Sequence, residues 1–162
     1  SLCIRRDVYR AAGGLDEAFF AHMEEIDLCW RLKNGGDTLK VVPSSVVYHL
    51  GGGSLPMNHP KKLFLNYRNN LLMLHKNLCA KQRKKIFFAR VLLDTMAGGL
   101  FLLKGQWSNT RSVIRAYKAF WEMRKAYPEP ESSMSLSGIY PRSIVLDYFL
   151  RGKKKFSDLN FK

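Results

Sequence analysis

Three carboxylates fall within four residues at Glu24, Glu25 and Asp27, inside the stretch Phe19-Phe20-Ala21-His22-Met23-Glu24-Glu25-Ile26-Asp27-Leu28-Cys29-Trp30-Arg31. A carboxylate held ionised beside a bound hydroxyl can take its proton, which is the work of a general base. Ile26, Cys29 and Trp30 recur at helical spacing, and Asp27 and Arg31 stand four apart. The acids therefore open a helix. Free backbone N–H groups and the positive end of the helix dipole favour ionised carboxylate there. Acidic residues also start helices that have no chemistry, and Asp27 can simply pair with Arg31. His22 stands next to the acids as a candidate substrate-binding residue, whereas His59, His75 and Cys29 read as structural.

A second candidate is His49-Leu50-Gly51-Gly52-Gly53-Ser54. Consecutive glycines do not serve a packed element. They form either a mobile loop or a place where backbone approaches a ligand closely, so Gly51 and Gly52 are candidate substrate-binding positions. The run lacks both the G-x-G-x-x-G and the P-loop spacing of phosphate loops.

These residues need elements to hold them. Ser1 to Arg5 reads as a short buried strand, Arg6 to Ala12 as a helix stopped by Gly13-Gly14, and Glu24 to Lys33 as the acidic helix, stopped at Asn34-Gly35-Gly36. Thr38 to Val42 and Val46 to Tyr48 read as strands, which makes the front α/β. Behind Pro60 the pattern turns to long helices. Lys61 to Leu78 carries Leu63, Phe64, Tyr67, Leu71, Leu74 and Leu78 as an apolar stripe, interrupted by Arg68-Asn69-Asn70. Ile86 to Leu103 follows the basic run Lys81 to Lys85. With Arg90 and Asp94 near its middle, it fits a helix in the membrane interface or buried in protein better than one that spans. Ser108 to Tyr127 is amphipathic. Ser132 to Ser137 reads as a linker, Ser143 to Leu150 as a short helix, and Lys153-Lys154-Lys155 as a solvated or membrane-anchoring tail.

The 162 residues, 46% of them hydrophobic, suffice for one domain with a real core. The net charge of +14 is unevenly placed. Residues 1–60 hold six Lys/Arg against seven acids, and the remaining 21 bases face six acids. The basic back points to anionic partners, either lipid headgroups or nucleic acid. Cys3, Cys29 and Cys79 form no CxxC pair, so neither a disulfide framework nor a thiolate zinc site is indicated. The chain opens at Ser1 inside a strand pattern, as a fragment of a longer protein would.

Leu2-Cys3-Ile4-Arg5-Arg6, Gly13-Gly14-Leu15-Asp16-Glu17-Ala18-Phe19-Phe20, Glu24 to Leu32 and Val42-Pro43 to His49, in this order, resemble the C-terminal half of a family 2 glycosyltransferase domain of the bacterial rhamnosyltransferase-like type. Asn66-Tyr67-Arg68-Asn69-Asn70 resembles the tail of such enzymes more loosely. The resemblance implies a GT-A, Rossmann-like α/β fold and an organisation into three parts. Residues 1–58 would be the acceptor and base half of the catalytic domain, 59–130 basic membrane-associating helices, and 131–162 a linker, short helix and basic tail.

It further implies transfer of a sugar from a nucleotide-sugar donor to a glycan or lipid-linked acceptor, with inversion, in cell-envelope polysaccharide synthesis. The enzyme would sit in the cytoplasm, peripheral on the inner face of an anionic membrane. Glu25 aligns with the base, with Glu24 and Asp27 beside it as alternates, and His49 with a ligand of a divalent ion, Mn²⁺ or Mg²⁺. Arg68 could neutralise the leaving diphosphate or cap a helix bundle. The family's usual Glu-Asp pair is Glu24-Glu25 here. The Asp-x-Asp metal motif and the nucleotide-binding half are absent from this chain, so the fragment alone is expected to be inactive. The processive Gln-x-x-Arg-Trp motif is also missing. The alternatives are a nucleic-acid-binding module, drawn from the basic back with Tyr67, Trp107, Tyr117 and Trp121, and an inactive membrane-associated remnant. Because those aromatics fall on apolar stripes, no nucleic acid is expected.

Overall fold

The computed structural model describes residues 2–48, 59–130, 140 and 142–159. Its elements are α1 (Arg6–Ala11), α2 (Glu24–Asn34), α3 (Pro60–Asn77), α4 (Ala80–Leu103), α5 (Trp107–Met123) and α6 (Ile144–Leu150), with 3₁₀ turns at Glu17–Phe19, Arg124–Ala126 and Phe156–Asp158. There is no β-strand among the described residues, so the α/β, Rossmann-like expectation is corrected to an all-α arrangement.

The correction has a physical cause. A strand is completed by the hydrogen bonds of a neighbour, and an extended segment alone leaves its N–H and C=O groups to water. Thr38 to Val42 and Val46 to Tyr48 are such segments. Val41 is 89% and Tyr48 96% exposed, so the apolar alternation that reads as a strand meets no sheet here. Leu2 to Arg5 and Asp37 to Lys40 instead flank an open groove of about 340 Å³.

The helices follow their local signals. Gly13 and Gly14, at φ of +78° and +68°, end α1 in the left-handed conformation that glycine tolerates. α3 has Pro60 in its first turn, and the His59 side chain accepts from the Lys61 N–H at 3.2 Å. The basic run 81–85 does not precede α4 as a separate segment but forms its first turns.

α3 is the central helix. Leu71, Leu72, Met73, Leu74 and His75 are all buried, because α5 covers one side while α2 and the segment before it cover another. Phe19, Leu71, Leu72, Leu74, Leu78 and Phe120 make the core, with Trp30, Phe87 and Tyr127 against it. Each of the large side chains fully withdrawn from water contributes about 1.5–3 kcal/mol.

Candidate functional site

The backbone entering α2 is held in unusual conformations. Phe20 has φ of +63° and ψ of −52°, and the Ala21 N–H donates across it to the Phe19 carbonyl at 2.7 Å. This is the rare, strained form of the γ-turn. His22 and Met23 follow at φ of +70° and +75°. Three non-glycine residues with positive φ within four positions cost about 1–3 kcal/mol each, and they persist only where the surroundings over-determine them.

α3 supplies that determination. Asn69 is fully buried, and the two N–H groups of its Nδ2 are shared among the carbonyls of Phe19 (2.8 Å), Ala21 (2.7 Å) and His22 (2.8 Å). Arg68 Nη2 donates to the carbonyls of Ala18 (2.8 Å) and Phe19 (3.0 Å), and its Nε to Asn69 Oδ1 at 2.8 Å. Arg68 thus commits Nη2 to the backbone of this turn and Nε to Asn69, and is positioned as a clamp. Burial draws its pKa below the ordinary arginine value.

A second brace holds α2 itself. Asp27 is 0% exposed. Its Oδ2 accepts from Arg31 Nε at 2.9 Å and Lys76 Nζ at 3.0 Å, and its Oδ1 from Asn77 Nδ2 at 2.8 Å. Arg31 also donates to the Ala12 carbonyl and, at 2.7 Å, to that of Gly14. Lys76 reaches Asp16 at 2.6 Å, and its ammonium lies 5.0 Å from the ring centres of Phe19 and Tyr127. Burial pushes the Asp16 carboxyl up, but hydrogen bonds from Lys76, the Ala18 N–H and Tyr127 outweigh it and hold it below the usual carboxylate range. Burial, then Asp16, push the Tyr127 hydroxyl up to about 12.

Between these braces the acids diverge. Asp27 turns inward and is saturated with donors. Glu25 is exposed on the first turn of α2, which no side chain caps. Glu24 is half-buried, and its Oε2 and His22 Nε2 are both buried without a hydrogen-bond partner among the described residues. Phe20, 71% exposed, closes one edge with Lys61 Nζ 4.7 Å above its ring. The turn therefore carries His22, Glu24 and Glu25, while Asp27 and Arg68 brace it.

His49, Gly51 and Gly52 lie outside the described residues. Among the described residues no group of three or more His, Cys, Asp or Glu could hold a metal ion, and His49, the ligand the resemblance implies, is not among them. Of the aromatics weighed for nucleic acid, Tyr67 and Tyr117 pack with Arg90 and Asp94, while Trp107 and Trp121 are 71% and 51% exposed.

Sequence reasoning missed Asn69, Lys76 and Asn77 as the braces. The signal was present: Arg68-Asn69 and Lys76-Asn77 are polar pairs set into an apolar helical stripe, and a polar residue kept there needs a partner. Compared with known family models, curated proteins and solved structures, the chain matches none.

Proposed function

We propose that the turn from Phe20 to Glu25 is the acceptor side of a glycosyltransferase centre, in which Glu25 is the general base. The observation that carries this reading is the strained turn itself. Three left-handed residues, locked by Asn69 and Arg68, deliver an exposed carboxylate to an uncapped helix end. Strain of this kind is stored where geometry matters more than stability. Glu25 takes the proton of an acceptor hydroxyl as that oxygen attacks the anomeric carbon of a nucleotide-sugar. The bond from that carbon to the diphosphate breaks, and the diphosphate leaves with the electron pair. His22 and Glu24 flank Glu25 and shape the acceptor side of the turn. The acceptor is a glycan or lipid-linked glycan of the cell envelope, and the basic helices hold the enzyme at an anionic membrane surface.

The native-length gene product, assayed with UDP-, GDP- and dTDP-sugars and envelope lipid extract, tests the assignment. Glu25→Gln keeps the shape of the side chain but cannot accept a proton, so turnover falls by about 10²–10⁴ while donor affinity is unchanged. Near-native turnover of Glu25→Gln overturns the role of Glu25.

A further inference from the structure

Helix α4 has the reverse of the usual polarity. Its mid-helix charges face the protein: Asp94 is 4% exposed, accepts from Arg90 Nε at 3.0 Å and from the Tyr117 hydroxyl at 2.8 Å, and Arg90 lies 5.5 Å over the Tyr67 ring. The opposite face carries Phe88, Leu92, Leu93, Met96, Leu100 and Leu103, each at least half exposed. A helix on a water-soluble bundle places its apolar stripe inward and its charges outward. α4 does the opposite, and so leaves an apolar face uncovered.

α6 also leaves its apolar residues uncovered. Its one charged residue, Asp147, is 0% exposed and bonded by the Tyr140 hydroxyl and Arg151, while Ile144, Val145, Leu146, Tyr148, Phe149 and Leu150 are all exposed. Arg151 and Lys153 to Lys155 follow directly.

Charge identifies the occupant. The apolar face of α4 begins after Lys81, Arg83, Lys84 and Lys85 and ends at Lys104, with Trp107 exposed just beyond. A second copy laid antiparallel on this face would bring Lys85 toward Lys104, and the sole acid of α4, Asp94, is turned inward. Anionic headgroups satisfy both ends at once. The ends are about 28 Å apart at 1.5 Å per residue. A spanning orientation is disfavoured, because it would draw the exposed Arg111, Arg115 and Lys118 of the adjacent α5 into hydrocarbon.

We propose that α4 lies in the plane of an anionic bilayer with its outward face sunk in hydrocarbon, about 5–10 Å deep, and that α6 inserts beside its own basic tail. This deepens the surface attachment given above from electrostatic contact to insertion. It does not depend on glycosyl transfer, since Glu25 lies on α2 and its variant tests that reading separately.

The intact chain, bound to vesicles of phosphatidylcholine mixed with phosphatidylglycerol, is washed at about 1 M salt, where charge attraction is screened beyond about 3 Å. Insertion keeps it bound. The double substitution Leu92→Lys with Met96→Lys adds positive charge yet lowers salt-resistant binding about tenfold or more, since burying even one such side chain is worth that factor. Circular dichroism checks that the variant remains folded. Complete release of the native chain by salt overturns the proposal, as does unchanged salt-resistant binding of the variant. Vesicle-independent dimers that the same substitutions dissociate also overturn it, because the face would then belong to a second copy.

Discussion

Asn69 Nδ2 lies 2.8 Å from the carbonyl oxygen of His22, tying the middle of α3 to a residue whose φ is +70°. The two N–H groups of the same amide are shared with the carbonyls of Phe19 and Ala21, and that of Phe19 also accepts from Arg68 and from the Ala21 N–H. Asn69→Ala is expected to cost about 1–3 kcal/mol, the cost of buried acceptors left without donors. Asn69→Asp should cost more, because a carboxylate then faces three carbonyls. Urea unfolding of the two variants checks both size and order.

Asp27 separates structure from chemistry. Asp27→Asn retains volume but takes one counter-charge from Arg31 and one from Lys76, which keeps Asp16, so it should destabilise the fold by about 1–3 kcal/mol. Thermal melts give the answer. A variant as stable as the native chain but without turnover would return Asp27 to the candidate bases.

Strain at His22 gives the opposite sign. Glycine adopts φ of +70° without a Cβ penalty, so His22→Gly should raise stability by about 1 kcal/mol. Turnover should fall, because the turn that aims Glu25 loosens and the imidazole beside the acceptor is gone. A combined melt and activity assay reads both.

His75 makes stability depend on pH. It is 3% exposed, and burial first, then the neighbouring Arg83 charge, lower its pKa from the ordinary 6.5. With the folded value below the unfolded one, the unfolded chain binds the proton first. Stability is therefore full above about pH 6.5 and declines as pH falls toward the folded value. Melting temperature between about pH 7.5 and 5.5 should drop in the native chain and drop less in His75→Leu. Equal slopes would clear His75 of the effect.

Much of the local architecture was legible in the residues. Helix periodicity, Gly13-Gly14, Pro60 and the acids ahead of Ile26 placed α1, α2, α3, α5 and α6 within a few residues, because capping and 3.6-residue patterning act over one or two turns. The Asp27–Arg31 pair was legible for the same reason, as four-residue spacing on a helix brings side chains together by geometry alone. Strands at Thr38 to Val42 and Val46 to Tyr48 were not decidable this way: alternation states what a segment could bury, and only a hydrogen-bonding neighbour makes it a strand. The site divided likewise. Three neighbouring carboxylates look equivalent in sequence, and only the arrival of Lys76 and Asn77 from α3, about fifty positions away, turned Asp27 inward and left Glu25 outside. The left-handed turn at Phe20, His22 and Met23 has little signature in its residue types, since His accepts positive φ more readily than most but Phe and Met do not. It exists because Asn69 and Arg68 hold it, and a contact between distant segments is decided by tertiary packing alone.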